Sequence, residues 1–329
     1  MKTFKALVVT ENEPNVFERE VKDVEMDFLP DNDVLVNVKY SGLNFKDALS
    51  ASGNKGVTKK YPHIPGIDAA GVVVEDRSGT FTKGDEVIVT SYDLGMNTPG
   101  GFGEYIKVPA DWIVPMPEGL DMKESMILGT AGLTAGIGVY KMLINGLKPS
   151  AGKILVTGAT GGVGSFAVAI LAGEGFKVIA STGKKEAESF LKDLGADEII
   201  GREEVDETSG RPLLKPRWAG AIDNVGGNTL ATALKACSKD GVVIAVGLVA
   251  SPKLDTTVYP FILNGVSLMG VASATCDMDL RQEVWNKLAL EWKPSNLGSL
   301  AKMIRLDELN DHIEKILQGG ITGRVVVSY

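Results

Sequence analysis

The stretch from Lys153 to Ser165 constrains the fold more than any other part of the chain, because it has the pattern of a buried strand, a glycine turn and the start of a helix. In such a turn Gly158 permits the tight bend, Gly161 lets the backbone approach a pyrophosphate, and Gly164 lets the helix pack closely on the strand. The helix N-terminus then directs free N–H groups and a positive dipole end at the phosphates. The stretch predicts a dinucleotide site. The residues expected to contact the dinucleotide here are Thr160, Gly161, Gly162 and Val163.

The end of the next predicted strand, 178–181, indicates which dinucleotide is bound. An NAD site carries Asp or Glu roughly 20 residues past the glycine turn, and no acid stands there. Hydroxyls and an ammonium follow instead, and these groups bind a 2′-phosphate that a carboxylate would repel. We therefore expect NADP(H), contacted by Ser181, Thr182, Gly183 and Lys184. The alternative for Lys184 is a charge at a helix start, and Arg202 is a second candidate for the phosphate.

The composition excludes several function classes. The chain has 329 residues, which is enough for two domains, and its 44% hydrophobic and 23% charged content is typical of a globular protein. The net charge of −8 argues against a nucleic-acid partner, which needs a basic face. No apolar run reaches the roughly 18 residues of a membrane span. The two cysteines are too few for a disulfide framework and no signal peptide is recognised, so the expected location is the cytoplasm.

The apolar pattern divides the chain into two domains. Residues 1–119 carry short runs separated by glycine and proline turns, which predict a partly open β-barrel. Residues 120–275 alternate strands and helices, which predicts an α/β fold with a doubly wound parallel sheet. The six strands of that sheet are expected at 154–157, 178–181, 198–200, 220–224, 242–246 and 266–270. Residues 276–329, which end in a strand over 323–328, are expected to return to the first domain.

Four motifs indicate a family that the chain resembles. They are Ser41–Asp47, Ile64–Gly71, Gly129–Ala135 and the glycine turn. With the domain order, they resemble the medium-chain dehydrogenase/reductase superfamily, which implies a GroES-like catalytic domain and a Rossmann domain. Zinc-dependent members of that superfamily place Cys at the position of Asn44, His at that of Ile67 and a third ligand near Thr130. Since none of these residues is a zinc ligand and the four-cysteine loop is missing, we expect no metal.

Without a metal Lewis acid, the expected reaction is conjugate reduction, in which hydride reaches the β-carbon of an activated C=C bond and a proton reaches the α-carbon. The protein must position the reactants and polarise a carbonyl. Asn44 is the expected catalytic amide at the nicotinamide, and the alternative is a plain turn residue. Asp47, one helical turn on, is expected either to orient Asn44 or Lys46 or to serve as a helix N-terminal charge. Thr130 is expected to contact the nicotinamide amide or ribose.

Further stretches are similar to the zinc-independent acryloyl-CoA reductase (NADPH) group, whose members have also been classed as quinone oxidoreductases. These stretches are Leu43–Leu49, Pro65–Asp68, Gly129–Gly132, Trp218–Asp223 and Pro260–Leu263. The likeness implies reduction of acryloyl-CoA to propanoyl-CoA. It also implies cofactor contacts for Phe45, which is often Tyr in such enzymes, and for Arg324, which could instead pair with an acid at the domain seam. The remaining expected cofactor contacts are Gly247, Leu248, Ile262 and Ser273.

Three functions remain open from the sequence: an NADPH-dependent enoyl-CoA reductase, an NADPH:quinone oxidoreductase of the same fold, and a non-catalytic NADPH-binding protein. The partners expected are a small acyl-CoA or quinone substrate, with no nucleic acid and no membrane. The apolar segment 260–273 predicts a homodimer formed through the Rossmann domain. Trp285 and Trp292, seven residues apart, are expected to be packing residues on one helix.

Overall fold

The computed structural model describes residues 2–329 and divides the chain into two compact units. The first unit contains the residues up to Thr130 together with Ala274–Ala289 and Asn296–Tyr329, and the second contains Ala131–Ser273 and Leu290–Ser295. The boundary thus falls about ten residues later than the sequence suggested.

Residues 2–329 form fifteen strands, which are distributed over three sheets. They are β1 (Thr3–Glu13), β2 (Val16–Glu25), β3 (Val34–Gly42), β4 (Asp68–Asp76), β5 (Glu86–Thr90), β6 (Tyr105–Val108), β7 (Ile113–Pro115), β8 (Ile154–Thr157), β9 (Val178–Thr182), β10 (Glu198–Gly201), β11 (Trp218–Asp223), β12 (Cys237–Ala245), β13 (Ser267–Gly270), β14 (Ala301–Ile304) and β15 (Arg324–Ser328).

Eight α-helices connect the strands. They are α1 (Phe45–Ala51), α2 (Met122–Ile144), α3 (Gly162–Gly173), α4 (Glu188–Asp193), α5 (Gly227–Lys235), α6 (Tyr259–Asn264), α7 (Met278–Ala289) and α8 (Leu309–Leu317). The helix α2 is interrupted at Gly129, whose backbone is not helical (φ 52°, ψ −155°). This break lies one residue before the end of the first unit.

Strand β3 organises the first unit because it pairs along both edges. One edge pairs with β4, while the other pairs with β6 through residues 34–37 and with β15 through residues 40–42. The seven-stranded sheet has the order β14-β15-β3-β4-β5-β7, with β6 beside β3. The β1–β2 hairpin is a separate two-stranded sheet, attached to the segments that precede β4 and β6 by backbone bonds from Leu7 to Phe102 and between Val9 and His63. The chain's last strand therefore completes the sheet of the first unit.

The second unit is built on six parallel strands in the order β10-β9-β8-β11-β12-β13. The predicted doubly wound six-stranded sheet is confirmed. All four residues of the central strand β8 are buried, as its continuous apolar run predicts for a strand covered on both faces. From β8 the sheet grows outward in one direction through β9 and β10, and from β11 it grows in the opposite direction through β12 and β13. Loops at the carboxyl ends of parallel strands bind ligands at such a switch point in the strand order.

The prediction that Trp285 and Trp292 share a helix is wrong. Helix α7 ends at Ala289, so it carries only Trp285, which is fully buried. Trp292 lies in the short Leu290–Ser295 segment of the second unit, where its indole N–H donates to Glu174 (2.6 Å). The seven-residue spacing of the two tryptophans suits a helix, but the chain passes from the first unit to the second between them. A periodic pattern in the sequence does not reveal such a passage.

Helix α2 bears on the expectation that no segment could span a membrane. At 23 residues it is long and apolar enough to span a membrane by length and composition, although it carries charged residues near both ends. In the structure, 72% of its most apolar 18-residue window is buried inside the protein. Its apolar character is therefore accounted for by core packing.

Candidate active site and cofactor site

The N-terminus of α1 holds the two residues predicted to be catalytic. Asn44 precedes the helix with extended backbone, and Asp47 lies in the first turn. The two carboxylate oxygens of Asp47 accept the backbone N–H groups of Asn44 (2.7 Å) and Ile67 (2.7 Å). An acid three residues past the cap satisfies N–H groups that a helix end leaves without partners. Asp47 therefore combines the two roles left open by the sequence, because it caps the helix and fixes the backbone of Asn44.

Asp47 is fully buried, and this burial raises the pKa of its carboxyl group to about 7. The neighbouring charge of Asp68 raises the pKa further, while the bonds from Asn44 and Ile67 lower it. The carboxyl group of Asp47 therefore changes its charge near neutral pH.

Asp68, the first residue of β4, is the centre of the polar cluster, and the sequence analysis did not single it out. Its buried carboxylate accepts the side-chain amide of Asn44 (2.8 Å), the backbone N–H of Thr130 (3.0 Å) and the hydroxyl of Thr130 (2.5 Å). The guanidinium of Arg324 lies 3.4 Å away. We call Asn44, Asp47, Asp68, Thr130 and Arg324 the Asp68 cluster. The sequence did offer a signal for Asp68. It is an acid in the motif Ile64–Gly71, and zinc-dependent members of the resembled family carry a zinc ligand in that motif.

Arg324 was expected near the cofactor, and the structure places its guanidinium inside this cluster. The guanidinium is 4% exposed and donates to the carbonyls of Ile127 (3.1 Å) and Leu43 (2.9 Å), to Asn44 Oδ1 (3.0 Å) and to Asp68. Burial lowers the pKa of Arg324, and the charge of Asp68 opposes this effect. The alternative from the sequence was that Arg324 pairs with an acid at the domain seam. Arg324 does pair with an acid, Asp68, and both residues belong to the first unit.

Two glycines of the sequence motifs leave the space that the Asp68 cluster occupies. A Cβ added to Gly42 would lie 2.6 Å from the Arg324 guanidinium, and one added to Gly129 would lie 2.3 Å from the Asp68 carboxylate. Gly129 also has a positive φ of 52°, which favours glycine. The glycines in the motifs Ser41–Asp47 and Gly129–Ala135 thus allow a buried ion pair to approach the backbone.

The amide of Asn44 is saturated within the cluster. Its NH₂ group donates to Asp68 and to the carbonyl of Gly42 (3.1 Å), while its oxygen accepts from Arg324. Donation to a substrate carbonyl therefore requires one of these bonds to exchange. The bond to Gly42 is the longer of the two and is made to a neutral acceptor, so it is the weaker one.

Ser91 extends the Asp68 cluster by one hydroxyl. Its Oγ lies 2.9 Å from Thr130 Oγ1. Because the Thr130 hydroxyl donates its proton to Asp68, the hydroxyl of Ser91 donates to Thr130. Ser91 and Tyr92 both have positive φ (62° and 51°), a backbone conformation costly for such residues. The bend after β5 is therefore held in a strained form that directs Ser91 at Thr130.

Within residues 2–329, no group of three or more His, Cys, Asp or Glu side chains is arranged to hold a metal ion. The side chain of Asn44 binds Asp68 and Arg324 where zinc-dependent relatives of the resembled family have a thiolate. The aliphatic side chain of Ile67 is buried and provides no ligand atom. The polar side chains at these positions form hydrogen bonds to protein groups.

In the second unit, the glycine turn after β8 has the predicted geometry. Gly158 has a positive φ of 58°, and α3 begins at Gly162. A Cβ at Gly164 would lie 2.3 Å from the Gly158 carbonyl oxygen and 2.7 Å from Ala159 Cα, so only glycine fits there. A Cβ at Gly161 would meet protein atoms only at 3.4 Å, an ordinary contact. The fold itself therefore requires glycine at 164, and at 161 it does not.

The predicted phosphate residues lie together beyond β9 and β10, which are adjacent strands. The hydroxyl of Thr182 lies 3.4 Å from that of Thr160 and accepts the backbone N–H of Lys184 (3.1 Å). A Cβ at Gly183 would overlap the guanidinium of Arg202, so Arg202 lies directly against the chain at that point. Partial burial lowers the pKa of Lys184, against the opposing charge of Glu186. The structure thus brings Lys184 and Arg202 to one sheet edge.

A second group at this edge was missed by the sequence analysis. Asp223 ends β11, is fully buried and accepts the Thr157 hydroxyl (2.7 Å) and the backbone N–H of Gly226 (2.7 Å). Asn224 donates its amide to the Thr157 carbonyl (2.8 Å). A Cβ at Gly247 would lie 2.2 Å from the Asn224 carbonyl oxygen. These bonds tie the ends of β8, β11 and β12 together at the switch point.

The other predicted cofactor contacts are dispersed. Leu248 and Ile262 are 64% and 68% exposed, and Ser273 accepts a bond from Thr134 (2.7 Å), all in the second unit. Phe45 belongs to the first unit and is 40% exposed at the start of α1. Their contact with a cofactor stays a prediction.

Comparison with known families places both units among the dehydrogenases. The alcohol dehydrogenase GroES-like domain matches residues 30–118, and the zinc-binding dehydrogenase domain matches residues 162–292. YhfP of Bacillus subtilis, named provisionally as a quinone oxidoreductase, is 45% identical over 98% of both chains. AcuI of Ruegeria pomeroyi, named as an acrylyl-CoA reductase, is 41% identical over 98% of both chains.

Two solved structures share the fold over nearly the whole chain. The crystal structure of YhfP with NAD bound has a TM-score of 0.97 at 44% identity, covering 100% of both chains. The structure of YhdH from Escherichia coli with bound NADPH has a TM-score of 0.95 at 41% identity, covering 98% of this chain and 99% of that one.

Proposed function

Because the chain belongs to the medium-chain dehydrogenase/reductase family of oxidoreductases, we propose that it is an NADPH-dependent reductase of short 2-enoyl-CoA thioesters, with acryloyl-CoA as the favoured substrate and propanoyl-CoA as the product. The observation that carries this proposal is the donor set of the Asp68 cluster. Its members Asn44 and Thr130 offer an amide and a hydroxyl, and Ile67 beside them is aliphatic, so these three positions provide no thiolate, imidazole or carboxylate ligand for a metal. That set suits polarisation of a thioester carbonyl during conjugate reduction. The 41% identity to AcuI supports the substrate class.

The residues at the carboxyl edge of the second unit fit an NADPH molecule. The protein itself would tolerate a Cβ added at Gly161, so the absence of a side chain there leaves room for a pyrophosphate at the N-terminus of α3. Lys184 and Arg202, with the hydroxyls of Ser181 and Thr182, would bind the 2′-phosphate. The NADPH bound by YhdH supports this choice, whereas the NAD bound by YhfP favours a cofactor without that phosphate. When bound, NADPH supplies the hydride.

The first unit would supply the other half of the reaction. As the β-carbon gains a hydride, negative charge develops on the thioester oxygen, and the proton that completes the reaction adds to the α-carbon. Asn44 is the amide proposed to donate to that oxygen, after its bond to Gly42 exchanges. Arg324 and Asp68 hold the amide in one orientation because each binds one of its atoms. A donor fixed before the reaction does not have to reorganise as charge develops.

Quinone reduction is the second candidate function, and the 45% identity to YhfP favours it. A quinone would accept the hydride and a proton to give the hydroquinone, and it needs an apolar slot without phosphate-binding residues. One experiment separates the candidates: NADPH oxidation measured in parallel with acryloyl-CoA, crotonyl-CoA and a benzoquinone. We expect turnover with acryloyl-CoA above the other two. Turnover of the quinone alone would reject the reductase proposal, and firm NADPH binding without turnover would favour a non-catalytic protein.

The variant Asn44→Ala tests the catalytic amide in the same assay. Loss of one preorganised donor lowers kcat by a factor on the order of 10²–10³, and we expect a fall in that range. Asn12→Ala is the matched control, because Asn12 is an exposed asparagine of β1 whose amide binds only Glu18. Equal activity of the two variants would remove Asn44 from the reaction.

We also propose that the second unit forms a homodimer through β13. This strand is one of the two outer strands of the six-stranded sheet, and the segment that precedes it exposes Val258 (62%), Ile262 (68%) and Leu263 (59%). Exposed apolar patches next to a free strand edge are typical of association sites. Light scattering is expected to give twice the chain mass of 34.9 kDa, and a value at 34.9 kDa would reject the dimer.

A further inference from the structure

One segment of the first unit has the opposite charge to the rest of that unit. The unit carries 19 Lys and Arg against 28 Asp and Glu, a net charge of −9. Residues 48–67, which we call the basic segment, contain Lys55, Lys59 and Lys60 and no acid, and Asp47 and Asp68 stand immediately outside it. The basic segment is therefore a local positive region on an acidic unit.

Two of the three lysines are available to an anion. Lys55 forms an ion pair with Glu11 (2.5 Å), so its charge is already compensated. Lys59 and Lys60 are exposed, and in the described part of the chain neither ammonium group lies within 4.0 Å of a carboxylate. An uncompensated cationic pair attracts polyanions from solution and raises their local concentration.

The basic segment is fixed to the helix that begins at the Asp68 cluster. The hydroxyls of Thr58 and Ser50 are hydrogen-bonded (2.7 Å), and the hydroxyl of Tyr61 donates to the Ser50 carbonyl (2.7 Å). Lys59 and Lys60 lie between these two anchor points, at the C-terminal half of α1. Since α1 has seven residues, it is about 10 Å long. Thr58 and Tyr61, which flank the two lysines in sequence, are therefore attached near the end of α1 that is opposite Asn44.

A coenzyme A thioester likewise carries its charge away from its reacting group. Its reacting acyl group and its phosphates lie at opposite ends of a long, uncharged pantetheine arm. A site for such a substrate needs a neutral reaction centre and, at a distance from it, cations that bind the phosphates. A quinone carries no phosphate and would gain nothing from the basic segment.

We propose that Lys59 and Lys60 form the binding site for the phosphate groups of the acyl-CoA substrate. This proposal rests on the proposed enoyl-CoA reduction and adds where the coenzyme A part of the substrate binds. The two lysines act on binding alone, since they stand away from the Asp68 cluster, so their charges should change KM and leave kcat as it is.

The test compares two thioesters with the double variant Lys59→Glu/Lys60→Glu. Acryloyl-CoA carries the phosphates, and acryloyl-N-acetylcysteamine has the same reacting group without them. Exposed charge pairs each contribute a fraction of a kcal/mol, so reversing two charges should raise KM for acryloyl-CoA about tenfold at low salt, with kcat and the kinetics of the truncated thioester unchanged. The rise should shrink as salt screens the charges. Lys2→Glu/Lys83→Glu, which reverses two exposed lysines elsewhere in the first unit, is the matched control.

The outcomes separate this proposal from the proposed function. If the wild-type protein reduces both thioesters but the double variant shifts their KM values equally or not at all, the phosphate site is rejected and the reductase stands. If the wild-type protein reduces neither thioester, the proposed function is rejected and this site with it.

NADPH is the other phosphate source in the assay. Its KM should be the same in the wild-type protein and in the double variant, and a rise in that KM instead would assign the lysines to the cofactor and reject the proposal. Adenosine 3′,5′-bisphosphate should inhibit the wild-type protein competitively against acryloyl-CoA, and about tenfold more weakly in the variant. Equal inhibition of the two proteins would also reject it.

Discussion

The two units treat their polar groups in opposite ways. In the first unit, the Asp68 cluster is buried and its charged and amide groups bind one another. In the second unit, the groups at the carboxyl ends of β8, β9 and β10 lie at a loop edge that includes a half-buried Lys184 and an exposed Arg202. The net charges of the two units also differ. The first unit has a net charge of −9, whereas the second has 15 Lys and Arg against 14 Asp and Glu, a net charge of +1.

The difference indicates what each region is built to do. A buried network whose members satisfy one another is rigid, and removing one member leaves others unpaired in a medium of low dielectric constant. Glycines and cations at a solvent-exposed edge destabilise the unliganded protein little, because water solvates the cations until a ligand binds them. We therefore expect changes in the Asp68 cluster to affect folding as well as turnover, and changes at the glycine-lined edge around Gly161 and Lys184 to affect cofactor affinity.

Asp68→Ala should have the largest effect. It leaves the Arg324 guanidinium and the Asn44 amide buried without their acceptor, and losing one partner of a buried ion pair costs about 3–5 kcal/mol. Urea unfolding of the variant should show a loss of this size. The double variant Asp68→Ala/Arg324→Met should lose less than the sum of the two single variants, because no buried charge then remains unpaired. Additive losses would show that the two side chains do not act as a pair.

Gly164→Ala and Gly161→Ala should separate folding from binding within one turn. The Cβ at 164 would overlap the Gly158 carbonyl, which should cost up to about 3 kcal/mol of unfolding free energy, at the upper end for overpacking. The Cβ at 161 meets no protein atom closer than 3.4 Å, so its unfolding free energy should stay close to that of the wild type while NADPH affinity falls. Unchanged NADPH affinity in Gly161→Ala would mean that no ligand approaches the backbone there.

The stability of the protein should fall as pH rises through the titration of Asp47. Its pKa is raised from 3.8 to about 7, so the native state binds more protons than the unfolded state between these values. The stabilisation is complete below pH 3.8 and is lost as pH rises to about 7. Between pH 5 and 8, the wild type should lose about 3 kcal/mol relative to Asp47→Asn, measured by urea unfolding at both pH values. Parallel curves for the two proteins would place the titration elsewhere.

Lys184→Glu should have the smallest of these effects, and it tests which cofactor the edge selects. Its Kd for NADPH should rise about tenfold or more while its Kd for NADH changes little, because only NADPH carries the 2′-phosphate. Lys185→Glu, the adjacent exposed lysine, is the control. An equal loss for both cofactors would show that Lys184 does not contact that phosphate.

Much of the second unit was predictable because its signals are local. An apolar run followed by Gly158, Gly161 and Gly164 specifies a strand, a turn and a helix within thirteen residues. The order of the six strands follows from the family pattern of such units. The clash that a Cβ at Gly164 would cause agrees with the helix-packing role predicted for this residue from the sequence. The approach of a pyrophosphate to Gly161 stays a prediction.

The Asp68 cluster was predicted only in part because its contacts join residues far apart in the chain. Asn44 and Arg324 are 280 positions apart, and Asp68 lies 62 positions before Thr130. Spacing could nominate Asn44 as a polar group at the site, but it could not show that the amide is saturated. The same limit explains Trp292, whose indole bonds to Glu174 after the chain has left α7.

The fate of the hydrogens in the product tests the proposed conjugate reduction most directly. NADPH deuterated at the transferred position should place one deuterium on the β-carbon of propanoyl-CoA, and in D₂O with unlabelled NADPH the deuterium should appear on the α-carbon, as mass spectrometry and NMR can establish. Oxidation of NADPH by a benzoquinone, with no deuterium entering acryloyl-CoA, would contradict it.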